Sequence, residues 1–390
     1  VWLSRNRGAF MKGLLSVQGI KCGGIHCGIK KKNKDLALIY SETSCEWAGC
    51  FTTNRVKAAN IIVNKKRLKN KVQAVVVNSG IANSGTGQRG ILDAKMICQI
   101  TASALNIPEE SVLCASTGKI GEPLPMERIG LGIKRLARKI DKGLSRDASS
   151  AIMTTDTLPK ETEIDLGDCK IAGIAKGAGM IAPNMATMLS FIVTDAQIER
   201  DTLRSILKDV VNQTFNRITI DGDTSTNDMV ALLANGLAGP PDLVKFKDGL
   251  FSVCACLARK IIEDAEGGTK VVRVVVSGAK SIKMAEKVAR AVANSNLTKS
   301  ALWGENPPVG RILCACGYSG ARLNPKKIDI WLNQFLVVKD GTVIKFSESR
   351  VKNSLASSEI EIKIDLRAGK EAVVFLASDL SPEYVRINAE

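Results

Sequence analysis

Apolar residues recur along this chain of 390 residues in two spacings, one typical of strands and one typical of helices. Unbroken or alternating apolar runs, rich in β-branched residues, predict buried strands at 36–40, 75–77, 189–194, 271–277 and 360–366. Apolar residues three or four positions apart predict amphipathic helices at 92–106, 203–215, 253–262 and 282–292. This mixture predicts an α/β fold. Because the length exceeds that of one typical core, we expect two or three lobes.

The stretch from 176 to 190 follows neither spacing. It is K-G-A-G-M-I-A-P-N-M-A-T-M-L-S, and its glycines, alanines and proline precede the predicted strand at 189–194. Gly177 and Gly179 permit positive φ, and Pro183 has no N–H, so we expect an irregular loop here. Thr187 lies where this loop becomes the strand.

Thr187 is a candidate nucleophile. A threonine hydroxyl needs a base to take its proton, and the α-amine of the threonine itself can be that base when the threonine begins a chain. Small residues at Ala182 and Ala186 leave room for the hydroxyl to attack the carbonyl of Ala186 and start the necessary cut. Many threonines that enter a strand only pack there, so the composition alone leaves both roles open.

The chain is strongly basic. Its 55 Lys and Arg against 39 Asp and Glu give a net charge of +16, with clusters at 30–32, 65–67 and 134–142. Such a charge is compatible with a solvated surface, nucleic acid, or a phosphate-bearing acyl donor such as a coenzyme A thioester. Aromatic residues make up only 4% of the chain, which argues against stacking on bases. We therefore expect mostly solvated surface and no nucleic-acid partner.

Eleven cysteines, an odd number with no C-x-x-C pair, predict neither a disulfide framework nor a zinc ribbon. Cys22 and Cys27 flank His26, the only histidine, but the segment supplies no further ligands, so no metal is expected. A Cys–His or Ser–His–Asp hydrolase would need His26 as its base, and nothing near it in the sequence supports that role. The C-A-C pairs at 254–256 and 314–316 are interpreted as small buried residues in apolar strands.

Targeting and membrane signals are not predicted. No run of about 18 uncharged apolar residues is present, so no membrane span is expected. The first seven residues are basic but lack the apolar core and cleavage pattern of a signal peptide. The expected location is the cytoplasm.

The stretch at 176–190 resembles the signature K-G-A-G-M-[IL]-A-P-x-[ML]-A-T-M-L of the ornithine acetyltransferase family, also called glutamate N-acetyltransferase or the ArgJ family. Further matches to this family run from about 19 to 388. They include A-S-T-G-x-I-G-x-P-L-P at 115–125, T-T-D-T at 154–157, D-G-D-T-S-T-N-D at 221–228 and a near match to D-G-E-G-A-T-K at 264–270.

The resemblance implies an α+β layered sandwich of the DmpA/ArgJ-like fold, in a self-processing enzyme of the N-terminal-nucleophile type. It implies cleavage between Ala186 and Thr187 into an α chain, 1–186, and a β chain, 187–390, with a C-terminal lobe from about 280. The two chains are expected to assemble as an α2β2 heterotetramer.

Site residues also follow from the resemblance. Thr187 would be the nucleophile and contact substrate, and Thr117 and Gly118 would form the oxyanion hole. The other residues implied to bind substrate are Thr154, with Thr155 and Asp156 as near alternatives, Lys176, Glu266 and Asn388.

Three departures from the family pattern affect this assignment. Lys119 stands where valine is common and adds a charge beside the oxyanion residues. Ala265 replaces a glycine before Glu266. The sequence ends at Glu390, before the Ser or Thr that binds substrate a few residues beyond Asn388 in the family, so either that residue follows Glu390 or the site has one contact fewer.

The implied reaction moves an acetyl group from N2-acetylornithine to glutamate in arginine biosynthesis, by ping-pong transfer through acetyl-Thr187. No cofactor is implied, and the sequence leaves open whether acetyl-CoA also serves as donor. A related self-cleaving aminopeptidase or amidohydrolase is the nearest alternative, and a basic nucleic-acid-binding module is the alternative from another class.

Overall fold

The structure, a computed structural model, describes residues 12–182 and 188–389. Ala186 and Thr187 lie outside the described residues. The chain forms two compact units that interleave along the sequence. In the described residues, the first unit comprises 12–177, 188–216 and 223–261, and the second comprises 178–182, 217–222 and 262–389.

The strands are numbered along the whole chain. They are β1 (Ile20–Ile25), β2 (Leu36–Phe51), β3 (Val72–Ile81), β4 (Val112–Lys119), β5 (Lys160–Asp165), β6 (Lys170–Lys176), β7 (Leu189–Ala196), β8 (Ile218–Thr219), β9 (Met229–Gly239), β10 (Val271–Ala279), β11 (Asp329–Leu332), β12 (Phe335–Lys339), β13 (Thr342–Val343), β14 (Glu359–Asp365) and β15 (Glu371–Ser378).

The α-helices are numbered in the same way. They are α1 (Ala59–Lys66), α2 (Gly87–Leu105), α3 (Met126–Ala137), α4 (Ser145–Ala151), α5 (Arg200–Gln213), α6 (Leu243–Glu263), α7 (Ile282–Ala293), α8 (Asn296–Trp303), α9 (Val309–Tyr318), α10 (Glu348–Leu355) and α11 (Pro382–Ala389). No helix in the described residues is long and apolar enough to cross a membrane.

The first unit is built on a mixed sheet with the strand order β4-β3-β2-β9-β7-β6-β5, and β1 pairs with β2. Alternate residues of its strands enter different cores. Val75 and Val77 of β3 pack on the side of α4, whereas Ala74 and Val76 pack on the side of α1, α2 and α3. Helices therefore cover both faces of this part of the sheet, which explains why β3 is apolar at successive positions.

The second unit is built on a sheet with the order β13-β12-β11-β14-β10-β15-β8. Strands β10 and β14 run parallel, while β15 lies antiparallel to β10. The apolar sides of α7 and α9 pack with these strands around Val274, Ile362 and Phe375, which are almost fully buried. The predicted α/β class is therefore confirmed.

Most predicted elements occur with longer bounds. The composition of 78–80, N-S-G, predicts a turn after the strand at 75–77, and this prediction is wrong. These residues continue β3 and pair with 116–118 of β4. Asn78 Nδ2 donates to the Ile81 carbonyl at 2.9 Å, and Ser79 Oγ donates to the Ala151 carbonyl at 2.6 Å. Because buried polar groups are stable when they are hydrogen-bonded, turn-forming residue types are tolerated inside this strand.

Two further local predictions need correction. The two glycines and two prolines of 115–125 predict a loop, but the loop begins only after Lys119, because residues up to Lys119 belong to β4. The C-A-C pairs lie in helices α6 and α9, not in strands. At helical spacing, Cys254 and Cys316 are buried, while Cys256 is half-buried and Cys314 is exposed.

Candidate active site

The end of β4 carries the predicted oxyanion residues. Thr117 is almost buried, and its hydroxyl makes no hydrogen bond to any other described residue. Gly118 has a φ of +126°, and a Cβ at this position would overlap the carbonyl group of Gly80. The close approach of the paired strands β3 and β4 therefore requires glycine at 118. The main chain at Gly118, which carries no side chain, therefore lies next to the Thr117 hydroxyl, which is free to donate a hydrogen bond to a ligand.

The loop at 223–228 supports this strand from below. Asn227 is buried, and its Nδ2 donates to the carbonyls of Ala82, at 2.5 Å, and Ser116, at 2.8 Å. The hydroxyl of Thr226 donates to Asn227 Oδ1 at 2.6 Å and fixes the orientation of the amide. Ser116, immediately before Thr117, is thus held by Asn227, and the amide of Asn227 is held in turn by Thr226.

Asp156 connects two predicted substrate-binding residues. Its Oδ2 accepts the Thr154 N–H at 3.0 Å. Its Oδ1 accepts the Gly177 N–H at 2.6 Å and the Lys160 ammonium at 2.7 Å. Because Gly177 follows Lys176, one carboxylate holds the segments of Thr154 and Lys176 together. Asp156 was an alternative to Thr154 in substrate binding, but both of its oxygens are already engaged within the protein.

The charge of Asp156 is maintained despite its burial. Burial alone would raise the pKa of this carboxyl, but the charges of Lys176 and Lys160 and the Gly177 N–H outweigh it and lower the pKa to about 2. A fourth group, Lys30, lies near the same charges, and its ammonium donates to the Met153 carbonyl at 2.7 Å. The region is therefore an ionised carboxylate surrounded by lysines.

Asp228 is the opposite case. It is buried, its Oδ2 has no hydrogen-bond partner in the described part of the chain, and desolvation raises the pKa of its carboxyl well above the usual value. Hydrogen bonds from Ser225, Thr52 and the Met188 N–H, together with the charge of Lys176, offset this effect only partly. Asp228 is thus a buried carboxyl group with a raised pKa, and it contacts the residue following Thr187.

In the second unit, the central part of the signature is held by Asp221. Its carboxylate accepts the N–H groups of Met180, at 2.5 Å, and Ile181, at 2.9 Å. Met180 has a φ of +56°, a left-handed conformation that places both N–H groups on the same carboxylate. The hydroxyl of Tyr384 donates to the same group at 3.3 Å.

Glu266 and Asn388 are brought together in the second unit. Asn388 Nδ2 donates to Glu266 Oε2 at 2.8 Å, and the Glu266 N–H donates to the Ala178 carbonyl at 2.8 Å. A Cβ at Gly179 would overlap the Glu266 carboxylate. The second glycine of the signature therefore allows this carboxylate to lie directly against the main chain.

The cysteines near His26 are poorly suited to nucleophilic chemistry. Burial and the charge of Asp35 raise the pKa of the Cys27 thiol to about 12, and burial raises that of Cys22 to about 12. His26 is exposed, with Nδ1 2.9 Å from the Asn33 carbonyl. Residues 12–182 and 188–389 contain no group of His, Cys, Asp and Glu that could hold a metal ion.

Sequence reasoning missed several supporting side chains. Lys160 and Tyr384 carried no signal beyond ordinary composition, and an aspartate four residues before a lysine indicates pairing only on a helix. The candidate nucleophile and the cleavage position lie outside the described residues, so their assignment stays a prediction.

Comparison with known proteins places the chain in a family. The profile of the ArgJ family matches residues 21–390. Proteins named arginine biosynthesis bifunctional protein ArgJ are 44% identical over 392 residues in Thermotoga neapolitana and 45% identical over 387 residues in Caldanaerobacter subterraneus subsp. tengcongensis. Both alignments cover 95% of this chain, and they cover 98% and 96% of those proteins.

A solved structure gives the same assignment. The crystal structure of the arginine biosynthesis bifunctional protein from Bacillus halodurans is 41% identical, with a TM-score of 0.50. The match covers 52% of this chain and 99% of the solved chain. The family that the motifs predicted is confirmed: this chain belongs to the ArgJ family.

Proposed function

We propose that this chain is an acetyltransferase of arginine biosynthesis that moves the acetyl group of N2-acetylornithine to glutamate. The observation that carries the proposal is the family match over residues 21–390, which contains every predicted site residue. The relatives at 44% and 45% identity are named as bifunctional proteins of arginine biosynthesis, which supports this function over a self-cleaving aminopeptidase. No cofactor enters the proposed reaction.

The proposed enzyme becomes active by cleavage between Ala186 and Thr187. Cleavage there gives the predicted α chain, 1–186, and β chain, 187–390, each close to half of the sequence. The solved chain from Bacillus halodurans, matched over 99% of its own length, corresponds to 52% of this chain. A polypeptide of that length is expected if relatives are processed at the equivalent position. We further propose that the two products assemble as α2β2.

The chemistry assigns a separate task to each group. The Thr187 hydroxyl attacks the acetyl carbonyl, and the α-amine of the same residue takes the proton. Ornithine then leaves, and the amine of glutamate attacks the acetyl-threonine ester. The free hydroxyl of Thr117 and the N–H of Gly118 donate to the oxygen that becomes negative in both steps.

The substrate's charged ends call for fixed opposite charges. Lys176 is nearly buried and is proposed to bind the substrate carboxylate, beside the Thr154 segment that Asp156 holds. Glu266 is proposed to bind the ammonium. Asn388 donates to the Glu266 carboxylate and so fixes its orientation. Burial strengthens such charge pairing because little water competes with it.

Cleavage is tested by mass spectrometry under denaturing conditions. The active protein should give two masses, for 1–186 and 187–390, and Thr187→Ala should stay uncut and inactive. An active enzyme with only the full-length mass would rule out processing at this bond as the route to activity.

Transfer is tested by initial rates with N-acetylornithine and glutamate varied together. Parallel reciprocal plots and an acetyl group trapped on the peptide that begins with Thr187 are expected. Release of acetate without glutamate acetylation would instead identify a hydrolase. The same assay with acetyl-CoA as donor tests the second activity that the relatives' name, bifunctional, favours for this chain.

A further inference from the structure

A groove on the first unit contains none of the predicted catalytic or substrate-binding residues. It measures about 770 Å³ and is formed between the chain segment 26–28 and one side of helix α3. Gly132 lines the groove where α3 comes closest to this segment, since a Cβ at this position would lie 2.6 Å from the Cβ of Cys27. The opposite side of α3 carries Ile129 and Ile133 into the core, so the helix is fixed in place.

The groove is lined by positive charge without negative charge. Its cationic residues are Arg128, Lys134, Arg135, Arg138 and Lys139, and none of its lining residues is acidic. None of these five forms an ion pair with any residue in 12–182 or 188–389. By contrast, Lys21 pairs with Glu42 and Asp141, and Arg67 pairs with Glu109.

Two of the guanidinium groups are already oriented. Arg128 Nη1 donates to the Gly28 carbonyl at 2.8 Å, and Arg135 Nη2 donates to the His26 carbonyl. Each retains further N–H groups, and Lys134, Arg138 and Lys139 make no hydrogen bond through their side chains within the described chain. A concave surface lined by positive charges without acidic partners raises the local concentration of anions.

The shape and the apolar content of the groove define the ligand class. Guanidinium groups bind phosphate oxygens in pairs, which favours phosphate over a single carboxylate. Leu131 is 65% exposed among the cations and offers an apolar surface to an organic group. No Phe, Tyr or Trp lines the groove, which disfavours a nucleic-acid strand held by base stacking.

We propose that this groove binds a small organic molecule that carries several phosphates. Two sources share this chemistry: the phosphorylated end of an acyl-CoA donor, and a free nucleotide. The segment that forms the groove continues into Ile29, and a Cβ at Gly80 would lie 2.9 Å from Ile29 Cγ2. Gly80 in turn pairs with Gly118 of the neighbouring strand. One loop thus separates the groove from the predicted oxyanion residues, which favours the acyl-CoA donor as the ligand. This choice of ligand rests on the proposed function, whereas the phosphate-binding groove itself does not.

Binding is measured by calorimetry on the full protein without turnover, with coenzyme A, ATP and inorganic phosphate as probes. Coenzyme A or ATP should bind more tightly than phosphate, and the affinity should fall as salt rises. The triple variant Lys134→Gln, Arg138→Gln, Lys139→Gln should bind about tenfold more weakly. The matched control Lys66→Gln, Lys69→Gln, Lys208→Gln removes the same charge from exposed positions of the same unit and should bind like wild type.

Kinetics then separate the two sources. If the groove holds the donor, the groove variant should raise KM for acetyl-CoA about tenfold at unchanged kcat. Tight ATP binding with an unchanged KM for acetyl-CoA would support the phosphate site and would identify its ligand as a free nucleotide. The proposal is overturned if neither coenzyme A nor ATP binds at low salt, or if both triple variants weaken binding equally. Because binding needs no acetyl transfer, the calorimetric results are independent of the proposed function, whereas the KM for acetyl-CoA depends on it.

Discussion

Thr117 and Asp156 show two ways in which a polar side chain is used within one unit. The hydroxyl of Thr117 has no partner among the described residues, whereas the carboxylate of Asp156 accepts two N–H groups and an ammonium. An atom that the protein leaves free is available to a ligand, and an atom that the protein uses fully is structural. We therefore expect changes at Thr117 to affect the rate and changes at Asp156 to affect stability.

The largest expected effect is the loss of stability in Asp156→Asn. The amide keeps the shape but removes the negative charge, which removes the ion pair that Asp156 makes with the buried ammonium of Lys160. Breaking a buried pair from one side should lower the free energy of unfolding by about 3–5 kcal/mol. Urea unfolding measures this loss. Asp165→Asn, at an exposed pair with Lys170, is the control and should change little. Equal stability of Asp156→Asn and wild type would contradict a structural role.

Thr117→Val should slow the reaction without unfolding the protein. The substitution keeps the shape and removes the O–H, so a donor to the developing oxyanion is lost. We expect kcat to fall about 10²–10³-fold, about 2.7–4 kcal/mol, as for other single oxyanion donors. Thr117→Ser should keep most of the rate and is the matched control.

The same donor could serve self-cleavage, so both Thr117 variants are first checked by mass spectrometry for complete processing. A processed Thr117→Val enzyme that runs within a few-fold of wild type would assign the oxyanion contacts to main-chain N–H groups alone.

The contrast between these two residues was only partly predictable. The motif at 115–125 predicted Thr117 and Gly118 as a pair, and the structure explains Gly118 by its positive φ and its close approach to Gly80. The role of Asp156 depends on Gly177, which lies 21 residues away, and on the distance from Lys176. Local pattern predicts strands and helices well because their periods are local, but it contains no information on which distant N–H group meets a carboxylate.

The pH dependence of stability should separate Asp156 from other acids. Its pKa is about 2 in the folded protein, against about 3.9 for an unfolded chain. The folded-state pKa is depressed, so the stabilisation is fully present above about pH 4 and is lost as pH falls through about 2. It should amount to roughly 2–3 kcal/mol. The difference in unfolding free energy between wild type and Asp156→Asn should therefore shrink as the pH is lowered from 5 to 2. A constant difference would mean that charge is not the cause.

Asp228 gives the smallest effect and the opposite sign. Its carboxyl is buried, and desolvation raises its pKa, which favours the uncharged form; an amide should therefore replace it with little change. We expect Asp228→Asn to alter the free energy of unfolding at pH 6 by no more than about 1 kcal/mol. When the pKa of a group is higher in the folded state, its stabilisation of the fold is fully present below the unfolded-state pKa. This stabilisation is lost as the pH rises through the folded-state pKa. Wild type should thus lose stability relative to Asp228→Asn as the pH is raised, which urea unfolding at several pH values measures. If the variant is instead strongly destabilised at pH 6, Asp228 is ionised there and pairs with Lys176 as Asp156 does.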